Sequence, residues 1–227
     1  LTAEEIEWRD KARAFSVDRI APQIDEDFEI QRLREELIPE LGALGMLGMH
    51  INGYGCSGAN AVSYGLVCYE LEAVDTSWRT HVSVLGSLAM SAIAKFGSEE
   101  QKKEFLPPMA RGEKAGCFGL TEPHGGSDPS NMKTHAKKKG GDWVLNGAKM
   151  WITNGTIADL AVVWAKLRDD ETGRDDIHGF IVEKGMKGFS TAQKLDKLGM
   201  RGSHTGEMVF VDVEVPAANV LGSVNGG

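Results

Sequence analysis

The 227-residue sequence has few cysteines and no long apolar run. Its three cysteines, Cys56, Cys68 and Cys117, show no C-x-x-C spacing, so the sequence suggests neither a disulfide framework nor a zinc site. We expect these thiols to be buried and reduced, and we expect no metal. None of the apolar runs approaches the roughly 18 residues of a membrane-spanning helix, so no membrane span is expected either.

Positive charge is also scarce. The sequence has 25 basic and 33 acidic residues and a formal net charge of −8. Sequence-independent binding to nucleic acid requires an excess of Lys and Arg. The only basic run, Lys137 to Lys139, contains no aromatic residue, and we interpret it as a solvated turn. The charge pattern therefore predicts no nucleic-acid partner.

The first half of the sequence has the pattern of helices. Thr2 with Glu5, and Ser98 with Gln101, have the spacing of capping boxes at helix amino termini. Apolar stretches at residues 66–74 and 82–96 are long enough to form buried helices. We therefore predict a helical domain over residues 1–113.

From Cys117 onward the apolar period changes to two. "WVLNGAKMWIT" places Asn146-Gly147 between apolar runs, which predicts a β-hairpin, and "LAVVWAKL", "IHGFIVEK" and "EMVFVDVEVP" predict further strands. We predict a small antiparallel β-sandwich or barrel domain over residues 114–227. The fold class is then α+β, with an amino-terminal helical bundle followed by the β domain.

The stretch "CFGLTEPHGGSDPSNM" (Cys117–Met132) joins an apolar strand to a glycine-rich loop. Such a loop exposes unpaired backbone N–H groups, which suit an anionic or electron-rich ring edge. Gly125 and Gly126 would let a flat ligand approach the main chain. The alternative is an ordinary surface turn, and residue chemistry alone leaves both interpretations open. No G-x-G-x-x-G or G-x-x-x-x-G-K is present, so the sequence gives no sign of a Rossmann site or a P-loop.

Three ordered segments resemble the acyl-CoA dehydrogenase family. "LTEPHGGSD" (Leu120–Asp128) is similar to its flavin-loop signature, "KMWITNG" (Lys149–Gly155) to its second flavin motif, and "LGMRGSHTGEMVFVDVEVP" (Leu198–Pro216) to its third recurrent segment. The resemblance covers essentially the whole chain. In that family a carboxy-terminal helical bundle follows the β domain. We expect the present sequence to be a piece of a longer polypeptide, and we expect this piece to lack the carboxy-terminal bundle.

The resemblance implies FAD as the cofactor. The residues implied to bind it are Phe118, Gly119, Leu120, Thr121, Gly126, Ser127, Trp151, Ile152 and Thr153. Trp151 would cover one flavin face, although an aromatic residue on a strand is more commonly core packing. Thr153 would bond near the reactive N5, and Ser127 would also face the thioester arm of the substrate. His124 stands where the family often has Gly, and we expect no catalytic role for it.

The reaction that the resemblance implies is α,β-dehydrogenation of an acyl-CoA thioester. A carboxylate removes the α-proton while the β-hydride passes to the flavin. The family's base is a glutamate in the further helical domain, so we assign no catalytic residue here and expect residues 1–227 alone to be inactive. Expected partners are the acyl-CoA substrate, electron-transfer flavoprotein or a similar acceptor, and further copies in a homotetramer. The expected location is the bacterial cytoplasm or the mitochondrial matrix.

The segment "ELEAVDTSWRTHVSVLGS" (Glu70–Ser87) resembles the glutaryl-CoA dehydrogenase branch of the family. The residues implied to contact the substrate are Glu72, Arg79, Thr80, Ser83 and, from the flavin loop, Ser127. Arg79 would hold a distal carboxylate, which favours a dicarboxylic acyl-CoA such as glutaryl-CoA. The alternative is an exposed Asp75–Arg79 pair at i,i+4.

Several functional alternatives stay open at this point. Decarboxylation of the product to crotonyl-CoA is undecided by the sequence. A flavin oxidase or monooxygenase of similar fold is a second interpretation, and a non-catalytic flavin- or CoA-binding module is a third.

Overall fold

The computed structural model describes residues 1–168, 175–192 and 194–222. Its helical part carries the α-helices α1 (Ala3–Phe15), α2 (Ile24–Glu29), α3 (Ile38–Ala43), α4 (Ala61–Glu72), α5 (Thr76–Ser83), α6 (Ser91–Phe96) and α7 (Glu99–Ala110). Both predicted capping boxes are present, at Thr2 and at Ser98. Within the ranges just given, no helix has the length and apolar character needed to cross a membrane.

Two of the helices extend through π-helical turns. Ser16–Ile20 continues α1, and Val84–Met90 joins α5 to α6, so that one long helical segment runs from Thr76 to Phe96. π-Helical insertions frequently mark functional sites. The predicted apolar helix at residues 82–96 is therefore confirmed, and it begins six residues earlier than the apolar run itself.

The β part is one mostly antiparallel sheet, preceded by a two-stranded ribbon of β1 (Asn52–Gly53) and β2 (Cys56–Ser57). Its strands are β3 (Gly116–Gly119), β4 (His135–Lys139), β5 (Asp142–Ile152), β6 (Leu160–Arg168), β7 (Asp175–Glu183), β8 (Phe189–Thr191), β9 (Gly206–Val215) and β10 (Val220–Leu221). The strand order is β10-β7-β6-β4-β5-β9-β8, and β3 also pairs with β6. The predicted order of a helical part followed by a mainly antiparallel β part is confirmed.

Strand β6 shows why the two parts pack together. Leu160 and Val162 belong to the core that the sheet shares with the helices. Ala161 and Val163 point to the other face, where they join a second core within the sheet. Both faces of the strand are thus buried, which explains its nearly continuous apolar sequence.

The glycine-rich loop interrupts one edge of β6. Strand β3 pairs in parallel with the start of β6 and ends at Gly119, opposite Val163. Strand β4 resumes parallel pairing at His135, opposite Lys166. Residues 120–134 therefore leave the sheet and return to the same edge, so that both ends of the loop are held by one strand.

The hairpin predicted at Asn146-Gly147 is wrong. Strand β5 passes through both residues, and the turn lies at residues 140–141, between β4 and β5. The Asn146 amide exchanges hydrogen bonds with Asp212 of β9, at 3.0 and 2.9 Å, beside a β-bulge. Gly147 is required by packing, because a Cβ there would lie 2.4 Å from the Thr134 hydroxyl oxygen. Cross-strand contacts therefore override the local turn signal.

Two smaller expectations also need correction. Lys137 to Lys139 are solvated, but they lie on the exposed strand β4 and not in a turn, and Lys139 bonds Glu214 of β9 at 2.6 Å. Of the three cysteines only Cys117 is buried, whereas Cys56 and Cys68 are half-buried.

Candidate functional site

The glycine-rich loop is anchored by a buried carboxylate. Glu122 accepts hydrogen bonds from the backbone N–H groups of Lys133 at 2.6 Å and Thr134 at 2.9 Å, and from Lys149 Nζ at 2.8 Å. The side chains of Glu122 and Lys149 are 2% and 0% exposed. Burial alone would raise the pKa of Glu122, but these donors outweigh it and lower the pKa to about 2. Glu122 is therefore ionised, and it holds the two ends of the loop together.

Lys149 fixes the entry to the loop as well. Its ammonium donates to the carbonyl oxygen of Leu120 at 3.1 Å, and the next residue, Met150, donates its N–H to the carbonyl of Thr121 at 2.8 Å. Burial lowers the pKa of Lys149, and its contact with Glu122 opposes that shift. The first flavin motif and the second, which are about 25 residues apart in sequence, are thus joined by an ion pair and by main-chain bonds.

The anchored loop offers free backbone donors. The N–H groups of Thr121, Gly126 and Ser127 have no protein acceptor within the described ranges. Gly126 and Ser127 are exposed, and a Cβ on Gly126 would lie 3.1 Å from Thr121 Cγ2. An arrangement of unpaired amides beside bare glycine backbone suits the polar edge of an isoalloxazine ring. The loop therefore fits the cofactor that the resemblance implies.

Trp151 is not core packing, so that alternative is wrong. Its indole is 59% exposed, and its φ of 61° places a bulky residue in the left-handed region. It occupies an irregularity between Lys149 and Ile152 in the pairing of β5 with β9. Backbone strain of about 1–3 kcal/mol persists only where the surroundings hold it, and it concentrates at functional sites. An exposed aromatic ring held in this way suits a flat ligand.

The other implied flavin residues lie in three different surroundings. Ile152 is buried in the sheet core, so only its main chain could face a ligand. Thr153 is half-buried and follows directly in the turn after β5. Phe118 packs edge-on against Trp164, with ring centroids 5.8 Å apart, in the core shared with the helices. The exposed or half-exposed candidates for direct contact are therefore Phe118, Leu120, Thr121, Gly126, Ser127, Trp151 and Thr153, whereas Gly119 and Ile152 are buried.

Two histidines, the buried His81 and the half-buried His204, contact the turn that follows Trp151, and sequence reasoning missed both. His81 Nδ1 lies 3.1 Å from the Asn154 side-chain oxygen, and His204 Nδ1 lies 3.1 Å from the Thr156 hydroxyl. His204 Nε2 is also 3.5 Å from Glu35. Burial lowers the pKa of both histidines to about 4, so both are neutral at pH 7. A lone His in an apolar segment gives no sequence signal for such a contact.

The second candidate site is a cavity of 480 Å³ on the helical part. It is lined by Gly65, Cys68, Tyr69, Glu72, Ala73 and Arg79. Apolar and small residues of α4 form part of its wall, and the Glu72–Arg79 pair adds charged groups to the lining. This combination can accept an aliphatic chain that carries a polar terminus.

Arg79 pairs with Glu72, and the Asp75–Arg79 ion pair that stood as the alternative does not form. Arg79 Nε donates to the Glu72 carboxylate at 2.5 Å, and its NH1 lies 3.4 Å from the Ser83 hydroxyl. The hydrogen bond from Arg79 lowers the pKa of Glu72. Asp75 instead caps α5 by accepting from the N–H of Ser77. The guanidinium therefore already has one counter-charge and is not an uncompensated cation.

Further polar side chains lie on the same helical segments but do not bond the Glu72–Arg79 pair. Thr80 is buried, and its hydroxyl has no hydrogen-bond partner within the described ranges. Ser87 donates to the Tyr64 hydroxyl at 2.9 Å. Sequence reasoning included Thr80 and Ser83 but missed Tyr64, because an aromatic residue on a helix is usually read as core.

Comparison with known proteins identifies the family. Residues 2–113 match the acyl-CoA dehydrogenase N-terminal domain, and residues 117–213 match the acyl-CoA dehydrogenase middle domain. The chain belongs to the acyl-CoA dehydrogenase family.

Individual relatives agree with this assignment. The chain is 39% identical over 228 residues to an acyl-CoA dehydrogenase of Bacillus subtilis (strain 168), covering 100% of this chain and 60% of that protein. It is 43% identical over 237 residues to the mitochondrial isovaleryl-CoA dehydrogenase of Pongo abelii, covering 100% of this chain and 55% of that protein. The chain thus spans little more than half the length of these relatives.

A solved structure extends the likeness to three dimensions. The glutaryl-CoA dehydrogenase of Mycobacterium smegmatis in complex with FADH2 superposes with a TM-score of 0.93 at 49% identity, covering 98% of this chain and 56% of that chain. The two proteins are therefore alike both in fold and in about half of the aligned residues.

Proposed function

We propose that the protein to which this chain belongs is an FAD-dependent acyl-CoA dehydrogenase that acts on a dicarboxylic acyl-CoA such as glutaryl-CoA. The observation that carries the flavin assignment is the exposed, left-handed Trp151 beside an anchored loop with free amides. The observation that carries the substrate assignment is Arg79 in the lining of a largely apolar cavity. The described residues fit FAD, which when bound would supply the hydride acceptor.

The chain's own residues would bind and orient. The free amides of Thr121, Gly126 and Ser127 would donate to the polar edge of the flavin, and Trp151 would cover one ring face. Ser127 would lie toward the thioester. Glu122 is held in its ion pair with Lys149, and Glu72 is held by Arg79. We therefore assign removal of the α-proton to a carboxylate outside these 227 residues.

Arg79 would select the distal carboxylate. A guanidinium presents five N–H donors in a fixed fork, and Glu72 uses only part of it. Ser83 Oγ is within reach of the same fork. A substrate carboxylate could therefore share Arg79 with Glu72, because the pair is only partly buried, with exposed fractions of 33% and 42%.

The electron acceptor and assembly state that we propose rest on family membership alone. We propose electron-transfer flavoprotein or a similar carrier as the acceptor, and a homotetramer as the assembly. Reoxidation of the reduced protein by air in stopped-flow measurements would instead support the oxidase or monooxygenase alternative.

Gly126→Val tests the flavin site. A branched side chain would press on Thr121 and cover the free amides, so we expect FAD affinity to fall at least tenfold. Gly125→Ala is the matched control, because a Cβ there would meet only the Asp128 carbonyl oxygen, at 3.9 Å. Titration of each apoprotein variant with FAD measures the two dissociation constants. Equal affinities for the two variants would contradict this placement of the flavin.

Arg79→Met tests the substrate class. Loss of a hydrogen-bonded charge should cost about 2 kcal/mol of transition-state stabilisation, or about thirtyfold in kcat/KM, with glutaryl-CoA. Turnover of butyryl-CoA, which has no distal carboxylate, should be almost unchanged. Dye-reduction assays on both substrates measure the ratio. Equal losses on the two substrates would show that Arg79 has a structural role only.

A further inference from the structure

The turn that presents Trp151 and Thr153 contains two strained positions. Trp151 and Asn154 both have left-handed backbones, with φ values of 61° and 62°. Neither residue is glycine, so both conformations need support from neighbouring groups. The carbonyl of Asn154 accepts from the N–H groups of Ile157 and Ala158, which fixes the far end of the turn. The side chain of Asn154, which is 1% exposed, fixes the near end.

The hydrogen bonds of Asn154 determine the tautomer of His81. Asn154 Nδ2 lies 3.3 Å from the carbonyl oxygen of Gly116, at the start of β3. A carbonyl only accepts, so the Asn154 amide must donate there and direct its oxygen at His81. That oxygen also only accepts, and so His81 Nδ1 must carry the proton. His81 Nε2 is then an unprotonated acceptor, buried without a partner in the described ranges.

His81 lies on the helix that also carries the acyl-cavity arginine. Arg79 and Ser83 are four residues apart on α5 and share one face, where they contact each other. His81 lies between them in sequence and points away from that face, because residues two apart on an α-helix lie about 200° apart. One helix therefore contacts the acyl cavity on one side and the cofactor turn on the other.

We propose that His81 is a positioning residue for the cofactor turn: its Nδ1–H bond to Asn154 holds the left-handed turn that directs Trp151 and Thr153 at the flavin. The flavin in this statement rests on the proposed function, whereas the geometry of the turn does not. His204, which contacts Thr156, supports the same segment and does not replace the bond from His81.

Side-chain replacements separate the hydrogen bond from packing. His81→Leu removes the donor and keeps a buried side chain of similar volume, whereas the amide nitrogen of His81→Asn can stand in for Nδ1–H. Asn154→Gly removes the acceptor and tolerates the left-handed backbone. We expect the FAD dissociation constant to rise about tenfold in His81→Leu and in Asn154→Gly, the size expected of one buried hydrogen bond. His81→Asn should stay within about twofold of the wild type.

The double variant sharpens this test. If His81 acts through Asn154, then His81→Leu in the Asn154→Gly background should add nothing further. A role in packing alone would give additive losses, a lower Tm with unchanged FAD affinity, and no rescue by His81→Asn. Any of those three results would overturn the inference.

A readout that needs neither flavin nor activity completes the design. The protein labelled with 5-fluorotryptophan has five tryptophans to report, and the Trp151 signal can be assigned with Trp151→Phe. We expect the 19F line of Trp151 to shift in His81→Leu and Asn154→Gly and to return in His81→Asn, while that of Trp8 on α1 stays fixed. An unchanged Trp151 line would overturn the inference even if FAD binds. Failure of every form to bind FAD would instead overturn the proposed function, and the 19F lines would still decide the role of His81.

Discussion

The two glutamates of the candidate sites are both paired with cations, but in opposite surroundings. Glu122 and Lys149 form a pair whose side chains are 2% and 0% exposed, and backbone N–H groups complete the coordination of the carboxylate. Glu72 and Arg79 form a pair whose side chains are 42% and 33% exposed, in the lining of a cavity. The same type of contact therefore serves two different purposes.

Solvent exposure explains the difference. A buried charge that loses its partner has no water to replace it, so a buried pair holds its surroundings in one arrangement. A partly exposed pair contributes little to stability, and either partner can exchange its contact for another ion. The Glu122–Lys149 pair accordingly fixes the shape of the glycine-rich loop, whereas the Glu72–Arg79 pair leaves Arg79 able to bind another anion, such as the substrate carboxylate that we propose.

Lys149→Met should have the largest effect. It leaves the Glu122 carboxylate buried without its cation, and the expected loss in the free energy of unfolding is about 3–5 kcal/mol. Urea unfolding at pH 7 measures the loss, and flavin content should fall with it. The matched control is the double variant Glu122→Gln/Lys149→Met, in which no charge is stranded and the loss should be clearly smaller. Similar losses for both proteins would show that the ion pair does not determine loop stability.

The pH dependence of the same variant sharpens the comparison. In the wild type the pKa of Glu122 lies below its ordinary value of 4.5, so its contribution to stability is present above pH 4.5 and is lost as the pH falls toward 2. In Lys149→Met the backbone N–H groups of Lys133 and Thr134 still donate to Glu122, but loss of the bond from Lys149 should raise the pKa of Glu122 above its wild-type value. The stability difference between wild type and Lys149→Met should therefore narrow as the pH falls from 4.5 toward 2. A constant difference would argue that Glu122 stays ionised in the variant.

Glu72→Gln should have the smallest effect. Because the Glu72–Arg79 pair is partly exposed, its loss should change the free energy of unfolding by about 1 kcal/mol or less. Thermal unfolding of the Glu72→Gln and Lys149→Met proteins under the same conditions measures the two losses of stability. A loss as large as that of Lys149→Met would mean that both pairs are structural and would remove the basis of the comparison.

Local sequence signals predicted the features that depend on neighbouring residues. The capping boxes at Thr2 and Ser98 formed as expected, because each needs only a residue three positions away. The period-two segments became β6, β7 and β9 for the same reason. The Asn146-Gly147 hairpin failed because the decisive contact, with Asp212, lies 66 residues away.

In the candidate site, too, local motifs were predicted and contacts between distant segments were not. The loop glycines and Trp151 were predicted through the resemblance, and the exposure of Trp151 agrees with a role in ligand contact. The contacts that hold these residues in place were not predicted, because they join distant segments. Lys149 meets Glu122 across 27 residues, and His81 meets Asn154 across 73. No local pattern in the sequence records such a pairing.

The interrupted edge of β6 has a consequence for how this loop can change. Fifteen residues, 120–134, occupy the place of two positions on an uninterrupted strand, because the chain leaves opposite Val163 and returns opposite Lys166. Sheet register on both sides is set by β6 and is independent of the length of the excursion. Insertions or deletions at the exposed tip can therefore alter which ligand the loop accepts without disturbing the sheet, provided that Glu122 and Lys149 remain. The loop is in this sense an exchangeable segment, held at its base by one ion pair, by main-chain hydrogen bonds and by the pairing of β3 and β4 with β6.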